Sequence, residues 1–338
     1  MKKYLYIAFA AAALTSCSSD EAIEMVEKRA IGFDNVFVNN ATRATDLNKD
    51  NITEFGVYAS VSANNTQGMI LSNERVYKPE GKTEFGYDNT QYWIASAQYD
   101  FTAIAPYQTG TNATWSYSTT DAKNGTVEFD NETAQADQDL LFAYIQPEET
   151  ADAITSQPDP VAFNFSHILS RVHFTFVNTI SAASNIKLVV SDVKITDAYK
   201  KGTIAVAEGA ISADYWTVSE TNNSFNIAFA NNGNEINGDN GTETTAHHYM
   251  IPAKKEYNVS FKVKLLQAGA NLGTYDRNAT VNLDLKKGMS YNVKAYLSTD
   301  NVLPNALYPI VFKINEVDKW DNYTDVDAND PYNNPASN

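Results

Sequence analysis

The sequence predicts an all-β protein. Apolar residues alternate with polar ones at period two from end to end, and no segment keeps a 3.6-residue apolar period for three turns. In addition, 20 Tyr and 16 Phe stand among stretches crowded with Asn, Thr, Asp and Ser. Alternation gives strands with one buried face, aromatic and β-branched side chains suit a pleated surface, and short polar residues supply turns. Strands at short spacing with Asn- and Gly-rich turns point to β-sandwiches.

The N-terminus is a processing signal. Met1-Lys2-Lys3 leads into an apolar run from Tyr4 to Leu14, which closes at Leu14-Thr15-Ser16-Cys17. A cationic start, an apolar run too short to span a bilayer and small residues before a cysteine describe a secretory signal peptide, here residues 1–16. Cys17, the only cysteine, fits the lipobox of a bacterial lipoprotein, in which the thiol is acylated and the preceding bond is cut. Ser18-Ser19-Asp20-Glu21 follows, either as a surface-export signal or as the start of a solvated tether.

A short strand is expected over residues 31–38, an octet rich in Val, Phe and Ile whose apolar positions include Ile31, Phe33, Val36 and Val38. Alternation then marks strands around Phe55–Val61, Tyr99–Ala105, Val161–Phe165, Val172–Phe176, Ile186–Val190 and Phe225–Phe229. The series continues at Tyr257–Leu265, Val281–Leu285, Tyr291–Leu297 and Ile310–Ile314. Helices should be few, with Ala134 to Leu141 the best candidate. The polar stretch from Glu148 to Pro160, closed by two prolines, lies near the expected division into two sandwiches over residues 44–165 and 166–322. Asn231 to Thr245 reads as a long, mobile, exposed loop, and residues 323–338 as a polar tail.

Charge and missing motifs narrow the function. Against 25 Lys and Arg stand 41 Asp and Glu, a formal charge of −16, which repels nucleic acid. With Cys17 consumed, disulfides and thiolate metal sites are excluded for a single mature chain. There is no Gly-x-Ser-x-Gly, no phosphate-cradling glycine loop and no His-Glu-x-x-His. His167, His173, His247 and His248 lack ligand spacing. Asp325 to Asp330 opens like a calcium loop but has Asp330 and Ala336 where glycine and glutamate are needed. No enzyme, cofactor or metal site is therefore expected. Of Trp93, Trp115, Trp216 and Trp320, Trp115 is the best candidate for exposure and sugar stacking.

The order of several segments resembles a known family. After the lipobox come Ile31-Gly32-Phe33, Ala41-Thr42-Arg43-Ala44-Thr45, Phe55-Gly56-Val57-Tyr58-Ala59, Tyr92-Trp93 and Tyr99-Asp100-Phe101-Thr102-Ala103. Asp139-Leu140-Leu141-Phe142-Ala143, Phe163-Asn164-Phe165-Ser166-His167, Tyr249-Met250-Ile251-Pro252, Gly288-Met289-Ser290-Tyr291-Asn292-Val293 and a closing Trp320-Asp321 complete it. This looks like the fimbrillin family of Bacteroidetes type V pili, over nearly the whole mature chain. The resemblance implies two tandem transthyretin-like β-sandwiches, and a lipoprotein precursor on the outer membrane or cell surface that is cut after an arginine. In that family the cut removes the first strand and leaves a groove that another pilin's strand fills.

Carried over to this chain, the cleavage point is Arg43, with Ala44 as the new N-terminus and residues 17–43 as tether and removable strand. Removing a strand exposes unpaired backbone and an apolar core face, which another chain's strand can satisfy. The competing reading of Arg43 is a plain surface arginine in a loop, and cutting at Lys28-Arg29 instead would leave the strand in place. The tail after Trp320 is a poor donor strand, because Tyr323 and Val326 are an odd step apart and Pro331 and Pro335 remove backbone donors. That favours a tip or accessory pilin binding an unidentified host or bacterial ligand. The alternative is a surface lipoprotein that captures glycans for nutrient uptake, which would need an intact, anchored chain.

Overall fold

In a computed structural model the described residues are 29–34, 36–38, 51–63, 66–108, 113–118, 121–130, 138–147, 158–218 and 225–319. Their strands are β1 (Phe37–Val38), β2 (Glu54–Ala63), β3 (Thr66–Tyr77), β4 (Gln98–Ala105), β5 (Ala113–Ser118), β6 (Asp121–Asp130), β7 (Leu141–Ile145), β8 (Asn164–His167), β9 (Ser170–Asn178) and β10 (Ile186–Ile195). The order continues with β11 (Lys201–Val206), β12 (Thr217–Val218), β13 (Ile227–Ala228), β14 (Glu235–Ile236), β15 (Gly241–Thr244), β16 (His248–Met250), β17 (Lys254–Gln267), β18 (Ala270–Asp284), β19 (Met289–Leu297) and β20 (Phe312–Lys319). The protein is all-β. Helix among the described residues is confined to a 3-10 turn at Ala182–Ser184 and a single turn at Thr299–Val302.

Four sheets result. The first runs β1-β8-β7-β4-β2-β3 and the second β12-β11-β6-β5. The third runs β13-β10-β17-β18 and the fourth β15-β9-β19-β20, with β14 also on β10 and β16 also on β9. The third and fourth sheets enclose one core, where Phe174, Phe176, Phe261, Val263, Leu283, Tyr291 and Val293 meet. The first sheet is covered on both faces. Phe55, Val57, Phe101, Ala103 and Phe165 point into one core, and Tyr58, Ile104 and Phe142 into another shared with Trp115, Val127 and Phe129 of the second sheet. Hence β4 is buried along nearly its whole length, as a doubly covered strand must be.

The second sheet draws on both sides of position 165. β11 pairs with β6 from Lys201↔Asp130 to Val206↔Gly125, and Trp216 fills the shared core while its indole N–H donates to the Ile168 carbonyl at 2.8 Å. The longest hairpin, β17 to β18, turns through Ala268 and Gly269 at φ of 49° and 86°. Two residues with positive φ match the twist of the flanking strands, and glycine takes the larger angle without strain.

The structure departs from three expectations. The described part of Ala134 to Leu141 is not helical, because Leu141 opens β7, which pairs with both β4 and β8. The Asn231–Thr245 stretch is pinned, because β14 bonds to β10, β15 bonds to β9, and Ile236, Glu243 and Thr245 are buried. Trp115 is only 5% exposed, its ring tilted against those of Tyr58 and Phe142.

One buried histidine makes stability depend on acid. His248 lies against the Phe229 ring, centroids 5.6 Å apart, and desolvation lowers its pKa from 6.5 to about 4. The unfolded chain takes up that proton more readily, so the contribution is full above about pH 6.5 and is lost as the pH falls towards 4, amounting to about 3 kcal/mol at most. His248→Leu should therefore flatten the unfolding midpoint between pH 7 and pH 4.5. An unchanged acid dependence would assign the loss to other groups.

Candidate strand-exchange site

The expected first strand is where the geometry concentrates. Residues 29–34 and 36–38 run between two walls, one formed by residues 85–93 and the other by Val161 leading into β8. On the first wall Ile31 N–H donates to the Gln91 carbonyl at 2.8 Å and Trp93 N–H to the Arg29 carbonyl at 2.9 Å. On the second, Asp34 N–H donates to the Val161 carbonyl at 3.0 Å and Val161 N–H to the Gly32 carbonyl at 2.8 Å, a parallel pairing that resumes at Phe37↔Asn164 and Val38↔Phe165. These bonds give buried peptide groups partners in place of water.

The apolar side chains of this stretch turn towards the core. Ile31, Phe33 and Val36 are buried in the core on that face of the first sheet, and Val38 packs against it. Phe33 occupies an aromatic box. Its ring stacks on Phe163 at 6.1 Å and meets the Tyr87, Phe101 and Phe55 rings edge-on at 5.2, 6.3 and 6.4 Å. Such offset and edge-on pairs add to the gain from burial alone. Tyr87 also ties the backbone, its hydroxyl donating to the Ile31 carbonyl at 2.9 Å and accepting from Gln91 N–H at 3.0 Å. Burial raises the pKa of that phenol, so it remains a donor across the neutral range.

The other site residues, Cys17, Arg43 and Ala44, lie outside the described residues. The walls themselves were not found from sequence. Phe85 and Tyr87 sit in a Gly- and Lys-containing stretch without period, and Gln91 acts through its carbonyl, which no side-chain pattern reports. Only Tyr92-Trp93 and the Val161-Phe163-Phe165 alternation signalled that the region is structured.

The remaining chemistry is structural. His167 Nδ1 and Asp139 Oδ2 lie 2.8 Å apart with both side chains buried, and the His173 and His247 rings lie 4.3 Å apart. Among the described residues no group of three or more His, Cys, Asp or Glu could hold a metal ion. Trp93, Trp115 and Trp216 are all buried.

Comparison with known proteins identifies the family. A profile of fimbrillin-like proteins matches residues 42–310, and a prokaryotic membrane lipoprotein lipid attachment site matches residues 1–18. The chain belongs to the fimbrillin-like family. It is a pilus or adhesin subunit with a lipoprotein attachment site, a component of the cell surface and not an enzyme.

Among solved structures, a candidate cell adhesion protein from Bacteroides ovatus shares 15% identity at a TM-score of 0.50, covering 87% of this chain and 98% of that one. A similar candidate from Bacteroides uniformis shares 18% at 0.48, covering 87% and 99%. The fimbrial anchor protein Mfa2 from Porphyromonas gingivalis shares 10% at 0.36, covering 85% and 97%. No curated protein matches significantly.

Proposed function

We propose that this chain is a type V pilus subunit exported to the outer membrane on lipidated Cys17, cut after Arg43 by an arginine-specific protease, and assembled by accepting another pilin's strand. The observation that carries the reading is the position of residues 29–34 and 36–38. They complete the core between two walls, and Arg43 follows Val38 by only five residues, so one cut would convert an integral strand into a detachable one. Proline-bearing residues 322–338 make a poor donor, which favours a tip or accessory position that accepts a strand and gives none. Glycan capture for uptake has less support, since Trp93, Trp115 and Trp216 are buried and unavailable to stack on sugars.

The test is the N-terminus of the protein recovered from pili, expected at Ala44. Arg43→Ala should abolish incorporation, and finding the uncut variant in pili would refute groove opening. Deleting residues 322–338 should leave incorporation intact. Loss of incorporation on that deletion would move the chain from tip to stalk. Cys17→Ala should leave the precursor unlipidated and absent from the surface.

A further inference from the structure

Exposed apolar side chains gather in the connection between β19 and β20. Of the nine large apolar side chains exposed among the described residues, five lie between positions 296 and 311, namely Tyr296, Leu303, Leu307, Tyr308 and Val311. Leu307 is 80% exposed and Tyr308 64%. The segment is nonetheless held firmly. The N–H groups of Leu307 and Tyr308 both donate to the Asp300 carbonyl, at 2.9 and 3.3 Å, and Ala306 N–H donates to the Leu303 carbonyl at 3.0 Å. Val302 and Ile310 anchor it in the core of the third and fourth sheets. The backbone is therefore satisfied within its own turns while the apolar side chains stand in water, and a patch so dense on a soluble body marks a contact surface.

The local charge runs against that of the whole chain. From Lys294 to Lys313 there are two lysines and one carboxylate, Asp300, in a chain of formal charge −16. Lys294 and Lys313 are paired in register across β19 and β20. Lys294 shares its face with Tyr296, two residues on, and the exposed Val311 and Lys313 flank the buried Phe312. Aliphatic side chains beside tyrosines, with lysines at the rim, match the layers of a bilayer surface, where Leu enters the acyl boundary, phenols sit at the headgroups and ammonium groups meet phosphates. The lipid attachment site at residues 1–18 brings such a surface within reach. The chain from Cys17 to Arg29, the first described residue, spans at most about 40 Å.

We propose that residues 303–311 are a second membrane contact, seating Leu307 and Tyr308 in the headgroup region of the anionic bilayer that anchors the precursor, with Lys294 and Lys313 on its phosphates. This rests on lipid attachment and goes beyond it, because an acyl anchor fixes where the chain is held and a rigid second contact fixes how the body lies. Cleavage after Arg43 would leave the loop alone on the membrane, a contact weak enough to release the subunit.

Vesicle sedimentation tests this with the unlipidated chain, residues 17–338 carrying Cys17→Ala, so that no acyl group contributes. It should sediment with vesicles of mixed phosphatidylcholine and phosphatidylglycerol, and less with phosphatidylcholine alone. Leu307→Ser should weaken binding about tenfold, as the lost burial of one leucine implies. Lys294→Glu combined with Lys313→Glu should abolish the preference for the anionic lipid. Ile94→Ser, at a side chain 44% exposed beside Trp93, is the control and should bind like the parent. In the same chain Leu307→Cys, labelled with a polarity-sensitive fluorophore, should shift to the blue on vesicles, and Ile94→Cys should not. Failure to sediment, an equal loss with Ile94→Ser, or no blue shift at position 307 overturns the membrane contact. A dimer in the absence of vesicles that Leu307→Ser dissociates would assign the patch to a second copy and overturn it too. Acylation of Cys17 is read separately, from the mass of the full precursor taken from membranes. An unacylated precursor refutes the anchor, whereas the vesicle results bear on the loop.

Discussion

Phe33→Ala is expected to lower the stability of the uncut chain by about 3–5 kcal/mol. The ring is 4% exposed and touches four other aromatic rings contributed by β2, β4, the wall residue Tyr87 and the approach to β8. Those rings are fixed by strands on several sides and cannot collapse into the space, so the cavity cost adds to the lost burial. An unfolding midpoint lower by roughly 10 °C would follow for a domain of this size. Asp34→Ala is the matched control. The residue is exposed and its bond to the Val161 carbonyl comes from the backbone N–H, which alanine keeps, so a much smaller change is expected. If Phe33→Ala is as mild as Asp34→Ala, the first strand does not hold the core and the exchange reading loses its physical basis.

How much of this was legible in the sequence depended on burial. β2, β4, β9, β17 and β19 announce themselves because their inward residues face a core on every second position. Of β18 only the end, within the Val281–Leu285 alternation, does, because from Ala270 to Thr280 its side chains are exposed or half-exposed and the backbone ladder to β17 holds it, which leaves no apolar period to read. β3 is an edge strand of mostly half-buried residues with Asn73 at a positive φ of 52°, and its alternation is broken there. Trp115 was misjudged for a different reason. Its polar neighbours Thr114 and Ser116 face outward as alternation requires, and the core it enters is completed by β11 and Trp216, more than eighty residues further on. Within the site, Ile31 and Phe33 could be read because they are apolar and alternate. Tyr87 and Gln91 could not, since what they contribute is a hydroxyl and a carbonyl placed by the fold.

Cleavage after Arg43 is expected to make the first strand exchangeable without expelling it at once. Burying Ile31, Phe33 and Val36 contributes about 5–9 kcal/mol by side-chain transfer, and at least four backbone hydrogen bonds add to it. While the chain is continuous, that gain faces only the cost of ordering a tethered segment. Once it is cut, the same contacts must also offset lost translational and rotational freedom, about 4–15 kcal/mol. The fragment then becomes a separate ligand of modest affinity, free to dissociate on dilution. The unfolding midpoint of the cut chain should therefore fall on dilution and rise with added peptide of residues 29–38, by the equivalent of about 2.7 kcal/mol at a hundredfold excess over Kd. Uncut Arg43→Ala protein should show neither dependence. A cut chain that has lost its fragment and still unfolds at the temperature of the uncut protein would mean that the groove closes on itself, leaving nothing for another subunit's strand to fill.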